Sequence, residues 1–200
     1  MNIFTEILIL FSISYFIGSI PFGLILTNLW GYGDIRKIGS GNIGATNALR
    51  TGNKILALLV LLLDAFKSLF LIILFKYFEL TNDNATYLFI LLSGSIIGHC
   101  FPIWLKFKGG KGVAAYLGIL FGLNFSYALV FILSWLTIIF VTKYVSLGSI
   151  VSSLIVLLLN VYLEGFNNSI MLFLFLLLII YSHRTNIGRL KSGTENKINL

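Results

Sequence analysis

Residues 113–142 read VAAYLGILFGLNFSYALVFILSWLTIIFVT, a run of 30 residues without a single charge. A helix needs about 20 apolar residues to cross a hydrocarbon core, so the run is long enough for one crossing with residues to spare. Gly118, Gly122 and Asn124 interrupt its middle. Whether the chain passes straight through or turns back at Gly122-Leu123-Asn124 decides the sidedness of everything that follows.

Charge chooses between the two. Lys and Arg cluster at 36–54, at 106–111, at 143 and at 184–197, whereas Glu6, Glu79, Asp83 and Glu164 mark the other ends of the apolar segments. Cytoplasmic loops carry the excess of Lys and Arg, which places the N-terminus outside and three polar insertions inside. A single crossing by 113–142 would carry the last insertion to the outside. Doubling back near Gly122 restores the parity, and irregular backbone at that depth is tolerated where protein covers it.

The expectation is an all-α polytopic integral membrane protein: a seven-helix bundle, N-terminus outside and C-terminus cytoplasmic. Its helices are 4–28, 55–78, 85–104, about 112–122, 125–142, 145–163 and 168–183, the fourth and fifth being short or re-entrant. Composition agrees, since 58% hydrophobic and 10% charged residues exclude an ordinary soluble domain. No polar stretch reaches domain size, so residues 1–200 read as one domain. The net charge of +7 is taken up by membrane orientation and does not call for nucleic acid.

Local features add detail. The first segment has Glu6 where a secretory signal has basic residues, and it lacks a small-residue cleavage site, so it reads as a retained helix. Gly18-Ser19-Ile20-Pro21 should kink it. Asp64 and Lys67 stand at i and i+3 on one helix face and form a structural pair turned toward protein. Cys100 is the single cysteine, which leaves no disulfide framework. Beside His99 it reads as a buried, inert thiol, because adjacent helical residues point apart.

The three polar insertions carry the chemistry. In the second, Lys106-Phe107-Lys108-Gly109-Gly110-Lys111-Gly112, glycines with positive φ would gather N–H groups on one anion, and the helix starting near Gly112 adds its positive end. Lys106, Lys108 and Lys111 supply charge. The Walker A pattern is absent, so a nucleoside triphosphate is not implied. The first insertion repeats the logic: Gly39-Ser40-Gly41-Asn42 can form a backbone nest, Ser40, Asn42, Thr46 and Asn47 offer hydroxyls and amides, and Arg50 can clamp a phosphate through two N–H groups. The third, Ser182-His183-Arg184-Thr185-Asn186-Ile187-Gly188-Arg189-Leu190-Lys191, places His183 and Asn186 on one face if the helix continues. Two histidines 84 positions apart, without a cysteine or carboxylate cluster, do not make a metal site. Three anion-friendly insertions on one membrane side, among helices able to hold an acyl chain, describe a site that joins lipid to a small phosphate. The rival from another class is a transporter of a phosphorylated metabolite, against which stand the shared side of the insertions and the lack of an inverted repeat.

These residues resemble a known family, the bacterial acyl-phosphate-dependent glycerol-3-phosphate acyltransferases, the PlsY family. The likeness spans nearly the whole chain. It rests on Gly18-Ser19-Ile20-Pro21-Phe22-Gly23, on Gly39-Ser40-Gly41-Asn42-Ile43-Gly44-Ala45-Thr46-Asn47 with Arg50, and on Asp64 and Lys67. It continues in Gly98-His99 with Pro102, in Phe107-Lys108-Gly109-Gly110-Lys111-Gly112-Val113-Ala114, and in His183 with Asn186-Ile187, Arg189-Leu190, Gly193 and Glu195. The resemblance implies a seven-helix fold and transfer of a fatty acyl group from acyl phosphate to the 1-hydroxyl of glycerol 3-phosphate, giving lysophosphatidic acid and inorganic phosphate. It implies no metal or organic cofactor, no partner beyond the two substrates and the lipid bilayer, a chain able to act as a monomer, and a bacterial cytoplasmic membrane with the site on the cytoplasmic side. Catalytic roles carry over onto Ser40, Arg50, Lys111, His183 and Asn186, and substrate binding onto Gly39, Gly41, Asn42, Thr46, Asn47, Lys108, Gly109, Gly110 and Gly112. Glu195 carries over as a structural residue. Ser182, Gly188 and Ala115 depart from the pattern by replacing an Arg, a Lys and a Thr. The hydroxyl proton has two possible acceptors, His183 or a phosphate oxygen of a bound substrate.

Overall fold

The computed structural model describes residues 2–78 and 84–198, and every helix or strand assignment among them is helical. Glu79 and Asp83, two of the acidic markers of orientation, lie outside the described residues. Two compact units are present, Met1–Leu123 and Asn124–Leu200, and each is described by itself. Among the described residues, five helical stretches are long and apolar enough to cross a membrane: Ile3–Leu29, Lys54–Tyr77, Ala85–Leu105, Phe125–Thr142 and Val145–Glu164. The pair Phe166–Ser182 and Arg184–Lys191, bent by 62°, makes a sixth if counted as one span.

In the first unit the opening span is broken where the sequence placed its kink. Helix α1 covers Ile3–Gly18 and α2 covers Phe22–Leu29. Pro21 has no N–H to give to the ladder, and the carbonyls freed around it need other donors in lipid. Trp104 Nε1 donates to the Ser19 carbonyl (2.7 Å) and Lys67 Nζ to the Ile20 carbonyl (3.1 Å).

Three short elements follow before α4 (Lys54–Tyr77): two 3-10 turns at Ile35–Lys37 and Leu49–Thr51, and the one-turn helix α3 (Ala45–Ala48). Asn53 caps α4 by accepting from the Leu56 N–H (2.9 Å). The buried positions Leu56, Val60, Asp64, Lys67 and Leu71 recur every three or four residues, so one face of α4 is turned inward. Helix α5 (Asn84–Cys100) stops short of the expected 104, because Pro102 breaks the ladder and the chain continues as a 3-10 turn at Ile103–Leu105. Helix α6 covers Val113–Leu123.

Small residues bring these helices close. α1 lies on α5, where Gly18 faces the Ser95 carbonyl, Gly94 faces Ser14, and Gly98 faces the Tyr15 carbonyl. α4 lies on α6, where Gly118 faces the Ala65 carbonyl. Ser68 and Ser95 share a buried hydrogen bond of 2.7 Å between α4 and α5.

The second unit holds α7 (Phe125–Thr142), α8 (Val145–Glu164), α9 (Phe166–Ser182) and α10 (Arg184–Lys191). The long apolar run is thus two helices, divided at Asn124, whose side chain caps α7 by accepting from Ser126 N–H (2.8 Å). Gly165, at φ 82°, separates α8 from α9, so α9 begins at Phe166 instead of 168. Asn160 donates to the Tyr127 hydroxyl (2.9 Å) and accepts from Ser169 (2.7 Å), joining α7, α8 and α9 through one amide.

The Gly118 contact gives a test of the close packing. A side chain added there meets the Ala65 backbone, whereas one added at Gly188 in α10 meets nothing within 4 Å. Gly118→Val should destabilise the protein by about 1–3 kcal/mol, read as a lowered unfolding midpoint in mixed micelles. Gly188→Ala should leave the midpoint unchanged or slightly raised.

Candidate active site

Two of the three polar insertions belong to the first unit, and the fold joins them. The first is pinned by apolar side chains: Ile35 and Ile43 are buried with Ala48, Leu56, Ala57 and Val60. Gly23 of α2 lies against the Ile43 carbonyl. Asn47, 3% exposed, organises the loop above this cluster. Its amide nitrogen donates toward the carbonyls of Ile35 (3.0 Å), Ile38 (3.1 Å) and Asn42 (2.8 Å), and its oxygen accepts from the Ser40 N–H (3.0 Å).

This bonding changes the reading of the loop as a backbone nest. Gly39 and Gly41 do have positive φ, 57° and 70°, but the Ser40 N–H is held by Asn47 and the Gly41 N–H by the Ile38 carbonyl (3.0 Å). Asn47 is therefore scaffold by its contacts. The groups turned outward are the exposed Ser40 and Thr46 side chains and the Arg50 guanidinium, which lies across Gly39. Glycine at 39 is required twice over, by its φ and because a side chain there would strike Asn47 and Arg50.

The second insertion leans on the first through Asn42, whose amide reaches the Gly109 carbonyl at 3.4 Å. Gly109 and Gly110 depart from the sequence expectation. Neither has positive φ; in this stretch Lys106 (52°), Phe107 (61°) and Gly112 (83°) do. Their N–H groups bond to the Cys100 and His99 carbonyls, 3.0 Å each. They are glycine because the turn packs against the end of α5: a side chain at 109 would strike the His99 carbonyl and Pro102, and one at 110 the His99 ring. Besides the half-buried Lys111, this insertion carries the exposed Lys108 and leads into the first N–H groups of α6, which as the opening turn of a helix have no intrahelical carbonyl to meet.

The electrostatics of this region are one-sided. The described carboxylates of the unit are engaged elsewhere: Glu6 accepts from the Tyr87 hydroxyl, Asp34 pairs with Arg36 and Asp64 with Lys67. Hydrogen bonds from the Arg36 side chain and backbone hold Asp34 at about 2, well below the usual carboxylate range. None of these carboxylates pairs with Arg50, Lys106 or Lys108. Among the described residues no group of three or more His, Cys, Asp or Glu is placed to hold a metal ion.

The third insertion belongs to the second unit. The helix does not continue straight through it, since His183 forms the joint between α9 and α10. Its Nδ1 lies 2.9 Å from the Ile179 carbonyl. A carbonyl can only accept, so Nδ1 carries the hydrogen and Nε2 is the basic nitrogen of the neutral ring. Asn186 donates to Glu195, which also accepts from Ser146 (2.7 Å) and Arg189 (2.7 Å). Burial works to raise the Glu195 carboxyl, but the hydrogen bonds from Asn186, Ser146 and Arg189 outweigh it and hold it below its ordinary value. The tail beyond Glu195 is tied to the same unit, with Ile198 N–H bonded to the Lys143 carbonyl (2.9 Å).

The residues that sequence reasoning missed are the supports. His99, 4% exposed, stands 2.9 Å from Lys67 Nζ, and Trp104 closes the broken first span. A signal did exist for His99: the buried pair Asp64–Lys67 needed further partners, and this histidine ends the next apolar segment.

The chain is similar over nearly its whole length to known proteins. The family model described as glycerol-3-phosphate acyltransferase matches residues 8–193. A glycerol-3-phosphate acyltransferase of Pelagibacter ubique is 50% identical over 192 residues, covering 96% of this chain and 97% of the relative. One from Bradyrhizobium diazoefficiens is 50% identical over 93% and 92% of the two chains. Among solved structures, PlsY, described as an integral membrane glycerol 3-phosphate acyltransferase, superposes in its glycerol 3-phosphate form with a TM-score of 0.87 at 38% identity, over 96% of each chain. Its lysophosphatidic acid form gives 0.85 at 37% identity, over 96% of this chain and 95% of the other.

The Glu195 cluster is testable by pH. A carboxyl lowered in the folded state contributes stability that is present above its unfolded value, near 4.5, and lost as pH falls through the folded value. The 192–198 tail should therefore become susceptible to limited proteolysis as pH drops below about 4. Glu195→Gln should remove that dependence and leave the tail equally susceptible across the range.

Proposed function

The chain belongs to the glycerol-3-phosphate acyltransferase family, and from that premise we propose that it transfers a fatty acyl group from acyl phosphate to the 1-hydroxyl of glycerol 3-phosphate. The products are lysophosphatidic acid and inorganic phosphate. The observation that carries this reading is the joining of the first two insertions: Asn42 reaches the Gly109 carbonyl (3.4 Å), which ties the segment that carries Ser40 and Arg50 to the segment that carries Lys108 and Lys111, and the described carboxylates of the unit do not offset Arg50 or Lys108.

Acyl phosphate is a mixed anhydride, so its carbonyl is already electrophilic and phosphate already a competent leaving group. The protein has chiefly to position the reactants and neutralise charge. In the proposed step the 1-hydroxyl oxygen attacks the acyl carbonyl carbon, the bond from that carbon to the phosphate oxygen breaks, and the hydroxyl proton passes to a base. Arg50 and Lys111 hold phosphate charge, with Lys108, the first N–H groups of α6 and the Ser40 hydroxyl as further donors. His183 and Asn186 orient glycerol 3-phosphate, Asn186 being steadied by Glu195. Gly39, Gly41, Gly109, Gly110 and Gly112 shape the loops, Asn47 holds the first of them together from within, and Asn42 and Thr46 complete the substrate-binding set. Two groups have the chemistry to take the proton, His183 through Nε2 and a phosphate oxygen of the substrate itself. No metal, cofactor or nucleic acid enters the reading.

The same proposal sets the chain as a single transmembrane acyltransferase domain, able to act as a monomer, in the bacterial cytoplasmic membrane. It is read as a seven-helix bundle with two helices short or re-entrant, an outer N-terminus, a cytoplasmic C-terminus and the site on the cytoplasmic side. The grouping of Lys and Arg at 36–54, 106–111, 143 and 184–197 supports this orientation.

Purified protein in lipid should make lysophosphatidic acid from glycerol 3-phosphate and acyl phosphate, and none from acyl-CoA or acyl carrier protein. Product from either of the latter would overturn the donor assignment, and no product from folded protein would overturn the activity. Arg50→Ala and Lys111→Ala should each lower the rate on the order of a hundredfold or more, the usual cost of losing a donor to developing charge. His183→Gln separates the two routes for the proton: retention of most activity assigns it to the substrate phosphate, and collapse of kcat assigns it to His183.

A further inference from the structure

We infer that His99 is a positioning residue for the second insertion: its ring, braced by Lys67, is the surface on which the Gly109–Gly112 turn is set. The inference rests on the acyltransferase reading for the meaning of that turn and on geometry for the rest.

The brace is closed around one ammonium group. Lys67 Nζ donates to Asp64 Oδ1 (2.8 Å) and to the Ile20 carbonyl (3.1 Å), and it stands 2.9 Å from His99 Nδ1. An ammonium has three protons and accepts nothing, so Nδ1 is the acceptor of the third and the histidine is neutral with its hydrogen on Nε2. Asp64 Oδ1, 3.6 Å from Nδ1, is too far for a direct hydrogen bond. All three side chains are nearly inaccessible, at 2–4% exposure. The ring is thus fixed in plane and in tautomer by groups from α4 and from the break between α1 and α2.

The other edge of that ring meets the insertion. A side chain built on Gly110 would strike Nε2 and its neighbouring ring carbons, and the His99 carbonyl receives the Gly110 N–H at 3.0 Å. Backbone and ring of one residue therefore hold Gly110 from two directions. The adjacent Gly109 is held by the Cys100 carbonyl and, from the first insertion, by Asn42. Lys111 follows directly, so its origin is set by this contact. His99 itself is buried behind the turn, so its effect on a phosphate passes through Gly110 and Lys111.

Loss of the His99 ring leaves the Lys111 ammonium present to meet developing charge and loosens only the turn that holds the bound phosphate, a loss of binding common to ground state and transition state, which raises KM with little change in kcat. His99→Gln keeps an acceptor for Lys67 and removes the ring. It should raise KM for the phosphate-bearing substrate held by this turn about tenfold or more while kcat moves less than about threefold. Gly110→Ala should give the same signature, and the double variant His99→Gln with Gly110→Ala should be no worse than the poorer single variant, since both act on one contact. A second readout needs no turnover: inorganic phosphate should raise the melting temperature of the wild type and raise that of His99→Gln much less, the melting temperatures without phosphate staying close.

Undiminished phosphate stabilisation in His99→Gln, an unchanged KM, or losses that multiply in the double variant would each overturn the positioning role. A wild type that is stabilised by phosphate yet makes no lysophosphatidic acid from any donor sinks the acyltransferase reading alone, and the thermal readout still decides on His99. A wild type indifferent to phosphate sinks the anion site and the positioning role with it.

Discussion

The ammonium of Lys67 sits at mid-helix in a segment apolar enough to cross a membrane, where water is not available to solvate it. Its three protons go to acceptors on three different segments: Asp64 on α4, the Ile20 carbonyl in the break of the first span, and His99 at the end of α5. Removing one partner of a buried ion pair typically costs about 3–5 kcal/mol, so each segment is held where the others need it. The break in the first span is tolerable because Lys67 and Trp104 take the carbonyls it frees. Without the break, α2 would not lie as it does against the Ile43 carbonyl, and the first insertion would lose the backbone on which its pinned end rests.

What could be read from the chain follows the same division between local and long-range causes. Apolar runs and their interruptions are local, and the breaks at Pro21, Pro102, Asn124 and Gly165 fall where a missing N–H, a capping side chain or a positive φ demands them. The pairing of Asp64 with Lys67 is also local, three positions apart on one helix. The third partner is 32 positions from Lys67, and no periodicity connects His99 to α4. Likewise the tie between Asn186 and Glu195 spans a helix end and a turn, where helical spacing has no predictive force. The number of crossings and their sense rest on charge parity, which describes the interaction of loops with a membrane and leaves no trace in the packing of helices.

The glycine-rich motifs show why residue type alone could not sort the site. Glycine serves equally a backbone that must take positive φ and a backbone that must lie flush against a neighbour. Gly41 and Gly112 are of the first kind, Gly109 and Gly110 of the second, and Gly39 is of both. An amide side chain is similarly ambiguous. Asn47 spends its hydrogen-bonding capacity inside the loop, whereas the neighbouring Ser40 and Thr46 face outward. Such internal bonding makes the loop a worse nest and a better frame, because a frame whose own polar groups are satisfied can present a few charged side chains without collapsing onto them.

That frame bears on discrimination in a crowded ionic setting. At a membrane interface, exposed Lys and Arg meet lipid headgroups as readily as any substrate, and each such contact is worth about 1 kcal/mol. A phosphodiester headgroup carries one negative charge and has two of its four oxygens esterified. A phosphate monoester carries close to two charges and offers three acceptor oxygens. Cations scattered along a flexible loop would favour whichever anion is more abundant. On the proposed reading, cations on two segments joined through Asn42 and Gly109, with the described carboxylates of the unit committed elsewhere, favour the anion with enough charge and enough oxygens to meet both. On that reading, the contacts that His99 makes with Lys67 and with Gly110 also serve the preference for a monoester phosphate over lipid phosphodiesters.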